Sequence, residues 1–132
     1  MDFTYIVNNK KLLLSFLFML ASLFGFSQKD KGFKRVDVST FKEKIDAERS
    51  KVILDVRTPE EYKKGHLKNA QLMNFFDRGF KSKLEKLDKN KTYFIYCASG
   101  MRSKKAAKAI AQLGVENIYE LKGGYNVWQR ER

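Results

Sequence analysis

Across 132 residues the chain has one cysteine, one histidine, one proline and one tryptophan. A lone cysteine excludes an internal disulfide framework and any zinc site of the Cys₄ or Cys₂His₂ type. No histidine adjoins it in its motif, so a Cys–His protease arrangement has little support. A full-length apolar span is also missing. The one long charge-free run, residues 12–26, has fifteen positions, and a membrane-crossing helix needs about 20. There is no internal repeat and no low-complexity segment. Hydrophobic residues at 43% exclude disorder throughout, and the length allows one domain rather than two.

The run LLLSFLFMLASLFGF (12–26) follows Lys10 and Lys11 and is succeeded by small side chains. Gly25 and Ser27 would occupy the −3 and −1 positions of a cut after Ser27. This pattern predicts a secretory signal peptide over residues 1–27. The expected location is therefore exported, in the periplasm or cell envelope. If the run stays uncleaved, it becomes a membrane tether. No cysteine follows it, which excludes lipid attachment there. Losing Lys10, Lys11 and Asp2 takes the net charge from +12 to +11. Residues 28–33 read as a linker and 34–132 as the domain.

Excess positive charge raises the question of nucleic acid. The lysines are scattered (Lys63, Lys64, Lys68, Lys81, Lys83, Lys86, Lys89, Lys91), with no aromatic-interleaved strand or base-reading helix. A solvated basic surface that draws small anions is the better reading, with no nucleic-acid partner.

Five short apolar runs alternate with helical patterns. The first is Phe33 to Val38, followed by a Thr40-x-x-Glu43 capping box that opens a helix. Val52-Ile53-Leu54 is continuous and branched, as in a strand buried on both faces, and ends at Asp55-Val56. Thr58-Pro59-Glu60-Glu61 then predicts a capped short helix, ending by Gly65. Ala70 to Phe75 is the third run, and Asp77 to Leu87 reads helical. Thr92 to Tyr96 is a fourth strand, residues 103–113 a helix closed by Gly114, and Asn117 to Leu121 a fifth strand. Gly123-Gly124 turns the chain into a last helix carrying Val127 and Trp128. Trp128 and Phe94 are expected in the core; Phe75, Phe76 and Phe80 are expected there too, with an apolar rim beside the loop as the alternative. The alternation predicts an α/β fold with a parallel sheet covered by helices on both faces. Ligands of such sheets collect beyond the carboxyl ends of strands, where Cys97 and Asp55 fall.

Cys97-Ala98-Ser99-Gly100-Met101-Arg102-Ser103 lies between a buried strand and a helix. An ordinary cysteine is only a few per cent thiolate at neutral pH. A loop curling into a helix points backbone N–H groups inward and makes an anion cradle. Arg102 adds fixed positive charge, and Gly100 permits the tight backbone path. Ser99 and Ser103 can donate hydroxyl hydrogens or cap the helix. The expected site is an ionised, accessible sulfur held by main-chain dipoles and a guanidinium. Asp55 is expected either to accept from loop amides or to position Arg57. Arg57 and Glu61, four apart, are expected to pair, and His66 to set a turn.

ILDVRTPEEYKKGHLKNAQLMNF (53–75), IYCASGMRS (95–103) and LKGGYNVW (121–128), in this order, resemble the rhodanese family of single-domain sulfurtransferases. The likeness spans roughly residues 34–131. It implies a five-stranded parallel sheet flanked by helices and a six-position active loop, Cys97 to Arg102. It implies Cys97 as a sulfur carrier that takes sulfane sulfur as a persulfide and passes it to a thiol or cyanide. Ala98, Ser99, Gly100, Met101 and Arg102 would hold the donor's charged end. No metal or organic cofactor is implied; the partners are a small anionic sulfur donor and a thiol acceptor. Ala98 stands where many thiosulfate-using members carry a basic residue, and Met101 where a polar one is frequent, which weakens the case for a dianionic donor. Two rivals remain. A binding module would use the fold without the chemistry. A cysteine phosphatase would need five residues between Cys and Arg, and here there are four.

Overall fold

The computed structural model describes residues 32–132. The signal-peptide reading and residues 28–31 of the linker lie outside the described residues. Strands and helices alternate along the described chain: β1 (Lys34–Val36), α1 (Val38–Ala47), β2 (Lys51–Asp55), α2 (Pro59–Lys63), β3 (Gln71–Leu72), α3 (Phe80–Glu85), β4 (Thr92–Tyr96), α4 (Met101–Gln112), β5 (Ile118–Leu121) and α5 (Gly124–Glu131).

All pairings are parallel, in the spatial order β1-β5-β4-β2-β3. β4 is therefore central, and every one of its residues is buried. A strand covered on both faces gains from an apolar side chain at each position, which is why TYFIY shows no alternation. Period two instead divides the core. Tyr93, Ile95 and Cys97 join Leu54, Val56 and Ile118 under α3 and α4, through Leu84, Ala106, Ala107 and Ile110. Ile53, Phe94, Tyr96 and Leu121 join Phe41 and Tyr125 beneath α1 and α5. Phe41 meets Phe94 edge-on at 5.4 Å, and Trp128 packs partly buried against Phe41. The expected helical cover on both faces is present.

The edges differ from expectation in detail. The run Ala70–Phe75 has ladder geometry only over Gln71–Leu72, because an edge segment needs hydrogen bonds on one side alone. Met73 and Phe75 still donate to the Asp55 and Val56 carbonyls, so the segment continues as an irregular edge. α1 is capped by Asp37, whose carboxylate accepts from the Thr40 amide, three residues ahead of the expected box. α2 has the expected reciprocal box between Thr58 and Glu61, with Pro59 opening the helix. α3 is shorter than the predicted 77–87, since Gly79 offers no side-chain cap and Asp77 is engaged by Asn74 and Lys83. Phe33 buries its ring in the core, and a Cβ on Gly32 would lie 2.7 Å from that of Ala111, so domain packing begins upstream of Lys34. No helix among the described residues is long and apolar enough to cross a membrane.

Candidate active site

β4 delivers Cys97 to the carboxyl end of the central strand, and α4 begins four residues later. Gly100 makes the turn with φ +101°, where a side chain is strained. There is also no room for one: a Cβ would lie 2.6 Å from Arg35 Nη2 and 3.4 Å from Glu120 Oε1. This turn aims the Gly100 N–H at Cys97 Sγ, 3.1 Å away. Ser103, buried in the first turn of α4, places its Oγ 3.3 Å from the same sulfur. An amide and a hydroxyl thus converge on Sγ, the arrangement that stabilises a negative sulfur. α4 starts two residues before the predicted boundary, and that earlier start is what brings Ser103 round to the sulfur.

Two expectations for the loop are corrected. Cys97 has no exposed surface, so the sulfur is covered rather than open. Arg102 does not hold the sulfur directly. Its Nη1 and Nη2 donate to Glu61 Oε1 and Oε2 at 2.8 and 3.0 Å, and its guanidinium lies over the Phe76 ring at 5.6 Å. The planar fork matches a carboxylate in two parallel bonds, which a diffuse sulfur charge cannot reproduce. The Arg102 hydrogen bonds hold the Glu61 carboxyl down at about 2, well below the usual range. Glu61 in turn favours the charged guanidinium and raises Arg102. The expected Arg57–Glu61 pair does not form, because Glu61 faces the loop. Of the other loop residues, Ala98 is half-buried, and Ser99 and Met101 are exposed.

Arg57 pairs with Asp55 instead. Its Nε and Nη2 donate to the carboxylate at 2.9 and 2.7 Å, and Nη2 also donates to the Gly65 carbonyl. Both residues are buried. Burial opposes the Arg57 charge, but the Asp55 hydrogen bonds and charge outweigh it and the guanidinium is raised. Asp55 accepts further from the Arg57 amide and from Tyr96 Oη at 2.6 Å. Among the described residues, none of its partners is a loop amide, so of the two expected roles it has the positioning one. His66 stacks on Tyr62 at 3.7 Å and contacts its carbonyl, consistent with a turn. Phe80 is buried and Phe75 packs against the core, but Phe76 is 65% exposed beside Arg102. Phe76 takes the rim position beside the loop rather than the core one, because the chain is turning there, with its amide tied to Asn74.

Three supporting features escaped sequence reasoning. The first residues of α5 clamp the loop: Tyr125 and Asn126 amides donate to the Cys97 and Ala98 carbonyls at 2.7 and 3.0 Å. Gly124, at φ +62°, makes this approach feasible, since a Cβ there would lie 2.5 Å from the Cys97 oxygen. Glu61 anchors Arg102 across 41 residues of sequence, and pairs so distant carry no local signal. Glu120 is the third. It is fully buried on β5, and its Oε1 accepts from Ser103 Oγ at 2.6 Å. One signal was legible: period two puts Glu120 on the inward face with Ile118, an unusual place for a carboxylate. Among the described residues no group of three or more His, Cys, Asp and Glu stands together to hold a metal.

A family model described as the rhodanese-like domain matches residues 37–131. The chain belongs to this family. Like other rhodanese-like proteins it has named relatives that bear on chemistry. YtwF of Bacillus subtilis, whose name marks it as a candidate sulfurtransferase, is 34% identical over 98 residues, covering 74% of this chain and 92% of YtwF. Thiosulfate sulfurtransferase GlpE of Coxiella burnetii is 32% identical over 78 residues, 59% of this chain and 71% of GlpE. A solved rhodanese-related protein of Thermoplasma volcanium superposes with a TM-score of 0.65 at 28% identity, covering 74% of this chain and 92% of that one. In this rhodanese-like domain, then, the five-stranded parallel sheet with flanking helices is the family's architecture built from these residues.

Proposed function

We propose that the protein is a sulfurtransferase that carries sulfane sulfur as a persulfide on Cys97. The observation that carries this reading is the convergence of the Gly100 amide, which donates, and the Ser103 hydroxyl on one sulfur at the end of the central strand. In the forward step the Cys97 thiolate attacks the outer sulfur of a donor. The donor's sulfur–sulfur bond breaks, and the leaving group departs with that electron pair. A persulfide remains, anionic on its outer sulfur and suited to the same N–H donors. An acceptor thiolate then attacks the outer sulfur, and Cys97 leaves as the thiolate. Two displacements replace one difficult one, and no net oxidant is consumed.

The donor class follows from what the loop carries. With Ala98 uncharged and Arg102 paired to Glu61, the loop offers little free charge to a dianion such as thiosulfate. A singly charged persulfide suits it better. Because Cys97 is covered at rest, loading includes an opening step. The N-terminal pattern extends the proposal to an exported enzyme; a mature N-terminus at Gln28, read by mass spectrometry from the native host, is the expected result.

The test is intact-mass analysis after exposure to thiosulfate, to a low-molecular-weight persulfide and to inorganic polysulfide. An adduct of one sulfur atom on Cys97, absent from Cys97→Ser and discharged by a thiol, supports the carrier. The burial of Cys97 favours one alternative, a binding module without chemistry. Failure of all three donors to load the protein would support that alternative and overturn the carrier.

A further inference from the structure

Glu120 has no part in the two displacements just described, yet it is fully buried within two hydrogen bonds of the reacting sulfur. The hydrogen-bond inventory fixes the direction of that chain. A serine hydroxyl has one hydrogen. Ser103 Oγ lies 2.6 Å from Glu120 Oε1 and gives its hydrogen to that carboxylate. At the 3.3 Å contact with Cys97, Ser103 can then only accept, from the S–H. The resting chain is therefore S–H to Oγ–H to carboxylate, with every proton pointing at Glu120.

We propose that Glu120 takes up the Cys97 proton through the Ser103 hydroxyl when the thiolate forms. The S–H proton passes to Ser103 Oγ as the serine proton passes to Glu120 Oε1. The S–H electron pair stays on sulfur, nothing is oxidised or reduced, and the charge of the cluster is unchanged. Afterwards Ser103 donates to the thiolate and the carboxylic acid donates to Ser103. The Gly100 amide already points at the sulfur that gains the charge. Glu120 is a positioning residue in this scheme, since it reaches the sulfur only through Ser103.

The surroundings suit a carboxyl that alternates between charged and neutral. Arg35 Nε of β1 forms an ion pair with Oε2 at 2.8 Å, and Oε2 has no hydrogen-bond partner. The charged groups facing the carboxyl are Arg35 from β1 and Lys104 from α4, and the titratable Cys97 of the loop reaches it through Ser103. Burial pushes Glu120 up and outweighs the Ser103 hydrogen bond and the Arg35 and Lys104 charges, which pull it down. Relaying the proton inward also answers a need that the covered sulfur creates: no water is required at Cys97 to accept it.

This inference rests on Cys97 being the sulfur carrier and names what ionises it. The test compares the full chain with Glu120→Gln and Ser103→Ala, using Cys97→Ser as the spectroscopic blank. Thiolate absorbance is followed against pH, together with the infrared C=O band of a protonated carboxyl. Two groups sharing one proton titrate as a pair. In the wild type the transferred form, thiolate with a carboxylic-acid band, should be a minor fraction at neutral pH whose level changes little with pH. In Glu120→Gln the band disappears, the plateau is lost, and thiolate falls about tenfold per pH unit below a single midpoint. Ser103→Ala removes only a hydroxyl and should lower the neutral-pH thiolate and the acid band together, about tenfold. A wild type without either signal, or the same absorbance curve in wild type and Glu120→Gln, overturns the relay. Ser103→Ala decides the matter if Glu120→Gln does not fold: unchanged signals in it overturn the relay as well. None of these readouts needs a sulfur donor. Persulfide mass analysis of the same samples reports separately on sulfur transfer.

Discussion

At the last position of the loop, Arg102 turns both terminal nitrogens to Glu61 above the exposed ring of Phe76, and the sulfur is left to Gly100 and Ser103. The pair has an acid-sensitive signature. Held near 2 by Arg102, Glu61 stays ionised in the folded protein well below the 4.5 at which an unperturbed glutamate titrates. A carboxyl lowered by folding stabilises above its unfolded value and loses that contribution as pH falls towards its folded one. The window is thus from 4.5 down to about 2. With the side chain 32% exposed, screening reduces the contribution to about 1 kcal/mol. Glu61→Gln should unfold about 1 kcal/mol more easily in urea at neutral pH, with the gap closing through that window. A gap that stays constant with pH would mean that packing, not charge, stabilises this contact. Asp55 and Arg57 form a contrasting pair, 0% and 4% exposed. Asp55→Ala leaves a buried guanidinium without its carboxylate and should cost about 3–5 kcal/mol, read from the urea midpoint at unchanged slope.

Between elements, the decisive contact is the clamp of α5 on the active loop. Gly124 is both left-handed, φ +62°, and without space for a Cβ. Gly124→Ala should cost about 2 kcal/mol or more and also release the Cys97 and Ala98 carbonyls from the Tyr125 and Asn126 amides. The sign of success is a Cys97 that reacts faster with a small alkylating agent while sulfur loading falls. An unaltered Cys97 in a merely less stable protein would show that the clamp does not shape the loop. The same contact shows where sequence stops being informative. Strand identity in β2 and β4, the Thr58 box and the place of Cys97 at a strand end follow from local chemistry, and each was legible. Gly123-Gly124 was legible as a turn but not as a clamp, because the carbonyls it serves lie more than twenty positions earlier. Glu61 read as a neighbour of Arg57 at helical spacing, and its real partner comes from α4. The cover over Cys97 was invisible for the same reason: exposure is decided by what other elements bring to the end of the strand. β3 shrank because a sheet edge is set by the hydrogen bonds a neighbour offers, and α3 because Gly79 offers no side-chain cap, not because of the apolar runs themselves.

For the whole molecule, the charge of +12 acts at a distance from the loop. Lys104, Lys105 and Lys108 along α4, with Arg35 of β1, line a cleft of about 370 Å³ that also has Gly100 and Met101 in its wall. A field of one sign gathered beside a site raises the local concentration of counter-ions and the rate at which anions arrive. Salt weakens that field, with a Debye length of about 10 Å at 0.1 M. Loading by an anionic donor such as thiosulfate should therefore slow several-fold between about 0.02 and 0.2 M ionic strength, whereas loading by an uncharged sulfane donor should not. Replacing Lys105 and Lys108 together with glutamine should remove much of the salt dependence for the anionic donor while leaving the uncharged one unaffected. The contrast separates arrival from chemistry, because the uncharged donor meets the same Cys97 and the same opening step. Equal salt slopes for the two donors would assign the basic surface to solubility alone.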